Sequence, residues 1–280
     1  MEKCIIIIPI YKKYTELEKN EIVSLNQIFH ILGNHLVCIV APHNLESADY
    51  KKFAESLGIK IQEEKFDNHF FTSTRSYNKL LLSDAFYNRF RKYNYMLIYQ
   101  LDAYVFRDEL SYWCEKGYDY IGAPWFKGYT QVSSDSPVVG TGNGGFSLRN
   151  IQTNLKILKK VTYLKSMRNL YDRCGFSKIL SFARFINLCL FRFTKPRTDK
   201  GYCMDYITSP EDFNEDTWWA VLIPQIYNFK VAPLEDATKF SFEANPKRLY
   251  NENGNQLPFG CHAWEKYEPD FWERFIKKNI

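Results

Sequence analysis

No stretch of this chain reaches about 18 uninterrupted apolar residues, so no membrane-spanning helix is expected. The start, MEKCIIIIPIYKK, has a short apolar run followed by charges and lacks the length and cleavage site of a signal peptide, so no secretory leader is expected. Cysteine is scattered rather than patterned. The seven stand at Cys4, Cys38, Cys114, Cys174, Cys189, Cys203 and Cys261, an odd number with no C-x-x-C spacing, which argues against a zinc ribbon or redox motif. These absences together predict a reducing compartment, the cytoplasm. Internal repeats and low-complexity runs are also missing. No G-K-[ST] follows the glycine cluster GTGNGGF, and that cluster is a weak match to a dinucleotide fingerprint, so a phosphate-cradling P-loop is excluded.

What is present describes a folded protein. The 280 residues are 45% hydrophobic and 25% charged, enough for one large domain. The aromatic share of 17% is high, which suits a large core and equally suits stacking on sugars or bases. Net charge is +5, unevenly spread. Residues 156 to 200 hold twelve Lys or Arg against Asp172 and Asp199, about +10, leaving about −5 for the remainder. This stretch includes FSKILSFARFINLCLFRF, which reads either as a helix with a solvated basic face or as a helix that lies on an anionic membrane. Confinement of the charge to one segment, with no recognised module, argues against nucleic acid as a partner.

Periodicity gives the order of elements. CIIIIPIY is a buried strand stopped by Pro9, and the helical spacing of Leu17, Ile22, Leu25, Ile28, Phe29 and Leu32 follows, ending at Gly33. HLVCIVAP is a second strand, and SADYKKFAESLG a helix with Ser47 as N-cap and Gly58 at its end. IKIQEEKF is a third strand, SYNKLLLSDAFYNRF a third helix and YNYMLIYQLDAYVF a fourth strand. This alternation predicts an α/β fold with a mostly parallel sheet, whose ligands sit at the carboxyl ends of the strands. Pro9, Ile10, Tyr11, the loop after Phe66 and Gln100 to Asp102 are expected along that rim. Glycine-rich pieces, the basic stretch and a loop-rich region, SPEDFNEDTWWAVLIPQIYNF, make up the second half.

Four motifs carry possible chemistry. Asp102 interrupts an apolar strand, as a carboxylate bonded to backbone or Arg, or as an oxygen ligand for a hard divalent cation. His262 in FGCHAW is either a satisfied core histidine or the partner of Asp102 in such a site; imidazole suits Mn²⁺ better than Mg²⁺. Asn143, Gly144 and Gly145 form a tight turn, or a place where backbone approaches a ligand. Glu215 and Asp216 are adjacent. They read as acids at an exposed helix start capped by Asn214, or as a pair whose repulsion raises one pKa to serve as general base. Arg75 before the third helix could pair with phosphates, with Asn78 one turn further along.

Taken together, the proline-ended first strand, YQLD, YDYIGAPW, GNGGFSLR, NED and HAW resemble a little-characterised group of GT-A-like glycosyltransferases, over roughly residues 3 to 265. The resemblance implies a single Rossmann-like domain, with residues 1–110 as the nucleotide-binding half and 111–280 as the acceptor side, carrying a basic helical insertion near 152–205. It implies transfer of a sugar from a UDP- or GDP-sugar to a glycan or lipid-linked glycan, in surface polysaccharide synthesis, by an enzyme peripheral to the inner face of the membrane. The tripeptide Gln100-Leu101-Asp102 matches an Asp-x-Asp motif with its first Asp replaced, so a metal, Mn²⁺ before Mg²⁺, would rest on Asp102, His262 and the donor diphosphate. Asp216 matches the catalytic base of inverting enzymes and Glu215 would orient it. Gly144 and Gly145 would line the sugar and acceptor region near Trp125. A nucleotidyltransferase making a nucleotide sugar, and a glycan-binding module without catalysis, are the competing readings.

Overall fold

The computed structural model describes residues 2–128, 131–159 and 214–276. Its centre is a six-stranded sheet of order β3-β2-β1-β4-β9-β6. β1 (Glu2–Pro9), β2 (Val37–Pro42), β3 (Gln62–Phe66) and β4 (Tyr93–Tyr99) run parallel. β9 (Phe146–Asn150) lies antiparallel to β4 and to the short β6 (Tyr120–Ile121). The chain is therefore mixed α/β with a mostly parallel sheet, as its alternating pattern predicts.

The unbroken apolar runs have a simple cause: both faces of the sheet are covered. In β1, Ile6 and Ile8 pack on one side with Leu25, Ile28, Phe29 and Leu32 of α1 (Lys19–Leu32). Ile5 and Ile7 point the other way, into a layer with Leu80, Phe86, Trp218 and Trp219. β4 alternates likewise, with Leu97 and Tyr99 on the first side and Met96 and Ile98 on the second.

Four local expectations are corrected. α2 (Ala48–Ser56) begins after Ser47 as expected, but the Ser47 hydroxyl donates to Glu63 rather than capping the helix. The third helix is two, α3 (Thr74–Leu81) and α4 (Asp84–Arg89), because Ser83 Oγ accepts the Phe86 N–H at 3.2 Å and starts a new helix. The fourth strand breaks at Gln100–Asp102, and its remainder, β5 (Ala103–Val105), joins a second sheet of order β10-β11-β5, with β10 at Ser241–Phe242 and β11 at Gly260–His262. Lastly, the region expected to be loop-rich contains a helical run, α7, that opens at Glu215–Thr217, becomes π-helical over Trp218–Leu222 and ends as Ile223–Ile226. Pro224 lies in the last stretch of this run, just after the π turn. α6 covers 151–159 and α5 covers Leu110–Glu115. A hairpin of β7 (Pro124–Phe126) and β8 (Val138–Thr141) lies outside both sheets. Most of the basic stretch, from residue 160 on, lies outside the described residues, as do Cys174, Cys189 and Cys203. Cys4, Cys38, Cys114 and Cys261 carry free thiols. Among the described residues, no helix is long and apolar enough to cross a membrane.

Candidate active site

Three strand registers bring the candidate residues to one place. β9 runs antiparallel to β4 with Phe146 opposite Tyr99, so the glycine turn before β9 meets the carboxyl end of β4. The Gln100 N–H donates to the Gly145 carbonyl at 2.8 Å across this junction. β11 runs antiparallel to β5 with His262 opposite Ala103, which sets the imidazole beside Asp102. β10 lies parallel to β11 with Phe242 opposite Cys261, so the next residues, Glu243 and His262, are neighbours.

The turn that presents Asp102 is pinned from below. Ser24 Oγ on α1 and the Tyr99 hydroxyl both donate to the Ala103 carbonyl, at 2.6 and 3.0 Å, and both side chains are fully buried. Asp102 itself is half exposed. Its Oδ1 lies 3.1 Å from His262 Nε2, yet Nε2 is out of line for a hydrogen bond and has no other such partner among the described residues. Burial pushes the Asp102 carboxyl up, but the neighbouring imidazolium outweighs it and holds the group below the usual carboxylate range. For His262, burial works against the charged ring, while Asp102 and Glu243 overcome it and push the pKa up to about 10.

The asparagine of the glycine turn organises the centre. Asn143 is buried, and its Oδ1 accepts N–H groups from Gly145 and Phe146 at 2.7 and 2.9 Å. The three glycines beside it face different groups. A Cβ at Gly142 would meet the Trp125 ring at 2.4 Å, one at Gly144 would lie 3.0 Å from Glu215 Oε1 and 3.9 Å from Asp216 Oδ2, and one at Gly145 would meet His262 Nε2 at 1.9 Å. The ring of Trp125 therefore lies against Gly142, while Gly144 and Gly145 divide the space between the two acids and the histidine.

Glu215 and Asp216 differ sharply although they are adjacent. Glu215 is buried and bonded twice to Arg149, Oε2 to Nη1 at 2.9 Å and Oε1 to Nη2 at 2.8 Å. The exposed, Asn214-capped helix start is thus overturned: Asn214 makes no capping bond and instead accepts from Asn78 at 3.1 Å. Burial pushes Glu215 up to about 7 against the pull of Arg149, with Asp216 adding to the rise. Asp216 is half-buried and also raised, first by burial; its Oδ1 takes the Thr217 N–H at 2.7 Å and its Oδ2 faces Gly144. Glu215 is committed to Arg149 and makes no hydrogen bond to Asp216 among those described.

Of the other expected residues, Tyr11 is 63% exposed on the same rim, and Arg75 is exposed in the first turn of α3. Pro9 stays in the sheet opposite Val40. Ile10 and Leu101 are corrected as side-chain contacts, since both turn into the core and offer the rim only backbone. Sequence reasoning missed Arg149 and Glu243. Glu243 had the same signal as Asp102, a lone carboxylate amid apolar residues in KFSFEA.

Among the described residues, the carboxyl groups Asp102, Glu243, Glu215 and Asp216 outnumber the cations paired with them, Arg149 and His262, with Lys266 acting on Asp102 from further off. Such a place repels a diphosphate unless a cation comes with it. The residues present fit one: among the described residues Nε2 lacks an aligned partner, a carboxylate oxygen stands beside it, and Gly145, with no side chain, lets the ring stand there. Among the described residues no group of three or more His, Cys, Asp or Glu forms a metal site by itself.

The family model described as a protein of unknown function (DUF5672) matches residues 60–262, well over half of the chain. The chain belongs to that family. No curated protein matches it. Solved structures similar to this family member include glycosyltransferases. One is GlyE of Streptococcus pneumoniae TIGR4, 11% identical, with a TM-score of 0.48, covering 99% of this chain and 58% of that one. Another takes part in glycosylating the major capsid of PBCV-1, 11% identical, with a TM-score of 0.39 and 93% and 92% covered. A third is core-mannan synthase A of Aspergillus fumigatus in a Mn/GDP form, 12% identical, with a TM-score of 0.34 and 45% and 43% covered. The chain spans little more than half the length of GlyE. At these scores no residue here takes a role from them.

Proposed function

We propose that this chain is a glycosyltransferase that moves a sugar from a UDP- or GDP-sugar to a glycan or lipid-linked glycan acceptor. The observation that carries the reading is one juxtaposition. A cation-type pair, Asp102 and His262, and a carboxylate, Asp216, whose Oδ2 has no hydrogen bond among the described residues, face each other across Gly144 and Gly145 at the carboxyl end of a parallel strand.

Each residue then has a task. Asp102 and His262 would hold a divalent cation, Mn²⁺ before Mg²⁺, which when bound neutralises charge developing on the departing diphosphate. Tyr11 and Arg75 stand on the rim for the donor. Asp216 is the base of an inverting transfer: the acceptor oxygen bonds to the anomeric carbon, the bond to the diphosphate oxygen breaks, and the hydroxyl proton passes to Asp216 Oδ2. Burial raises this carboxyl and so makes it a stronger base than a surface aspartate. Arg149 and Glu215 lock the start of α7, so that Asp216 keeps its place against the glycine turn.

The test is transfer or hydrolysis across a panel of UDP- and GDP-sugars with Mn²⁺. Asp102→Ala and Asp216→Ala are each expected to lower turnover by about 10² to 10⁴. Full activity in both variants would sink the reading. Pyrophosphate release from a nucleoside triphosphate would instead identify a nucleotidyltransferase, and glycan binding without nucleotide binding a non-catalytic module.

A further inference from the structure

We infer that Glu243 is the positioning residue of this site, accepting a hydrogen bond from the His262 Nδ1–H so that Nε2 is the nitrogen that ligates a cation beside Asp102. The inference rests on the reading of Asp102 and His262 as cation ligands and deepens it.

The imidazole has a distinct neighbour at each nitrogen. Nε2 stands beside Asp102 and is packed against the backbone of Gly145. Nδ1 faces two groups that ask opposite things of it. Glu243 Oε1, at 2.9 Å, is an acceptor and needs a proton on Nδ1. Asn143 Nδ2, at 3.3 Å, is a donor and needs a lone pair there. The Asn143 amide cannot turn over to resolve this, because its Oδ1 is held by the Gly145 and Phe146 N–H groups. The shorter and charged contact decides, since a carboxylate bond is roughly twice as strong as a neutral one. Nδ1 therefore keeps its proton, and Nε2 is the nitrogen that gives up its own when a cation binds.

Glu243 reaches this position through strand register. It is the next residue after Phe242, which pairs with Cys261, so Glu243, just past the end of β10, stands beside His262 on β11. A carboxylate on the far nitrogen of a metal-binding histidine fixes the ring's tautomer and orientation, and its loss weakens metal binding about 10- to 100-fold. Here the loss has a second consequence. Without Glu243, Asn143 Nδ2 is the neighbour that remains at Nδ1, and it favours the tautomer with the proton on Nε2, which cannot ligate.

The experiment is a titration of the full chain with Mn²⁺ alone, following the free ion by electron paramagnetic resonance, with thermal melting as the check on folding. Asp102→Ala and His262→Ala should abolish uptake. Glu243→Ala should weaken it about 10- to 100-fold, while Glu243→Gln, which keeps an oxygen for the Nδ1 proton, should stay within about threefold of the unsubstituted chain. Wild-type affinity in Glu243→Ala overturns the inference. So does a Glu243→Gln variant as weak as Glu243→Ala, because charge rather than proton acceptance would then be at work. If Asp102→Ala and His262→Ala bind Mn²⁺ as well as the unsubstituted chain, it is the assignment of the ligands that fails.

Discussion

Gly145 is the residue on which the cation pair depends most directly, because a methyl group there would occupy the position of His262 Nε2. Gly145→Ala is expected to displace the ring and reduce Mn²⁺ uptake about tenfold or more, whereas Gly144→Ala, with its nearest oxygen at 3.0 Å, should leave uptake unchanged. The same Mn²⁺ titration decides between them. Arg149 presents a different kind of dependence. Its guanidinium and the Glu215 carboxylate are both removed from water, so Arg149→Met strands a buried negative charge, at about 3–5 kcal/mol in urea unfolding. Glu215 also leaves a signature in pH. Its folded pKa lies above the ordinary 4.5, at about 7, so the folded protein holds a proton that the unfolded chain has released. This group's contribution to stability is full below about pH 4.5 and is lost as pH rises through about 7. Glu215→Gln, which does not titrate, should lack that slope, as measured by urea midpoints from pH 4 to 8.

At the scale of elements, the turn between β4 and β5 determines where Asp102 stands. Two buried hydroxyls hold one carbonyl there, and Tyr99→Phe removes one of them while Ser24 keeps the other. A loss of about 1 kcal/mol in unfolding free energy is expected, with the fold retained. Sequence showed that the strand had to leave the core near Gln100, since a carboxylate is not tolerated unpaired inside a sheet covered on both faces. It did not show that the chain re-enters a second sheet three residues later. That depends on pairing β5 with β11, about 160 positions on, and pairing partners at such separation leave no local pattern. α7 was hidden for another reason. Its proline and its β-branched and aromatic residues have weak helix propensity, and burial of Trp218 and Trp219 overrides that preference.

At the scale of the whole molecule, charge is divided. Residues 156 to 200 carry about +10 and the remainder about −5. If the basic segment meets a lipid-linked acceptor at a membrane, the protein should float with vesicles containing anionic lipid at low salt and be released as salt rises. Failure to co-migrate at low salt removes the membrane proposal and leaves the transfer chemistry untouched.

The chain's own pattern determined the α/β alternation, the strands covered on both faces, and the rim at which a lone Asp must emerge. Those features follow from local periodicity and from the cost of burying polar groups. Only the tertiary structure decided which carboxylates meet. By spacing alone Glu215 and Asp216 are a pair of adjacent acids, and only the family resemblance told them apart; folding gives Glu215 to Arg149 and leaves Asp216 facing Gly144. It likewise brings Glu243 behind His262. Neither choice is readable from spacing along the chain, because each is made by a strand register and by the removal of a side chain from water.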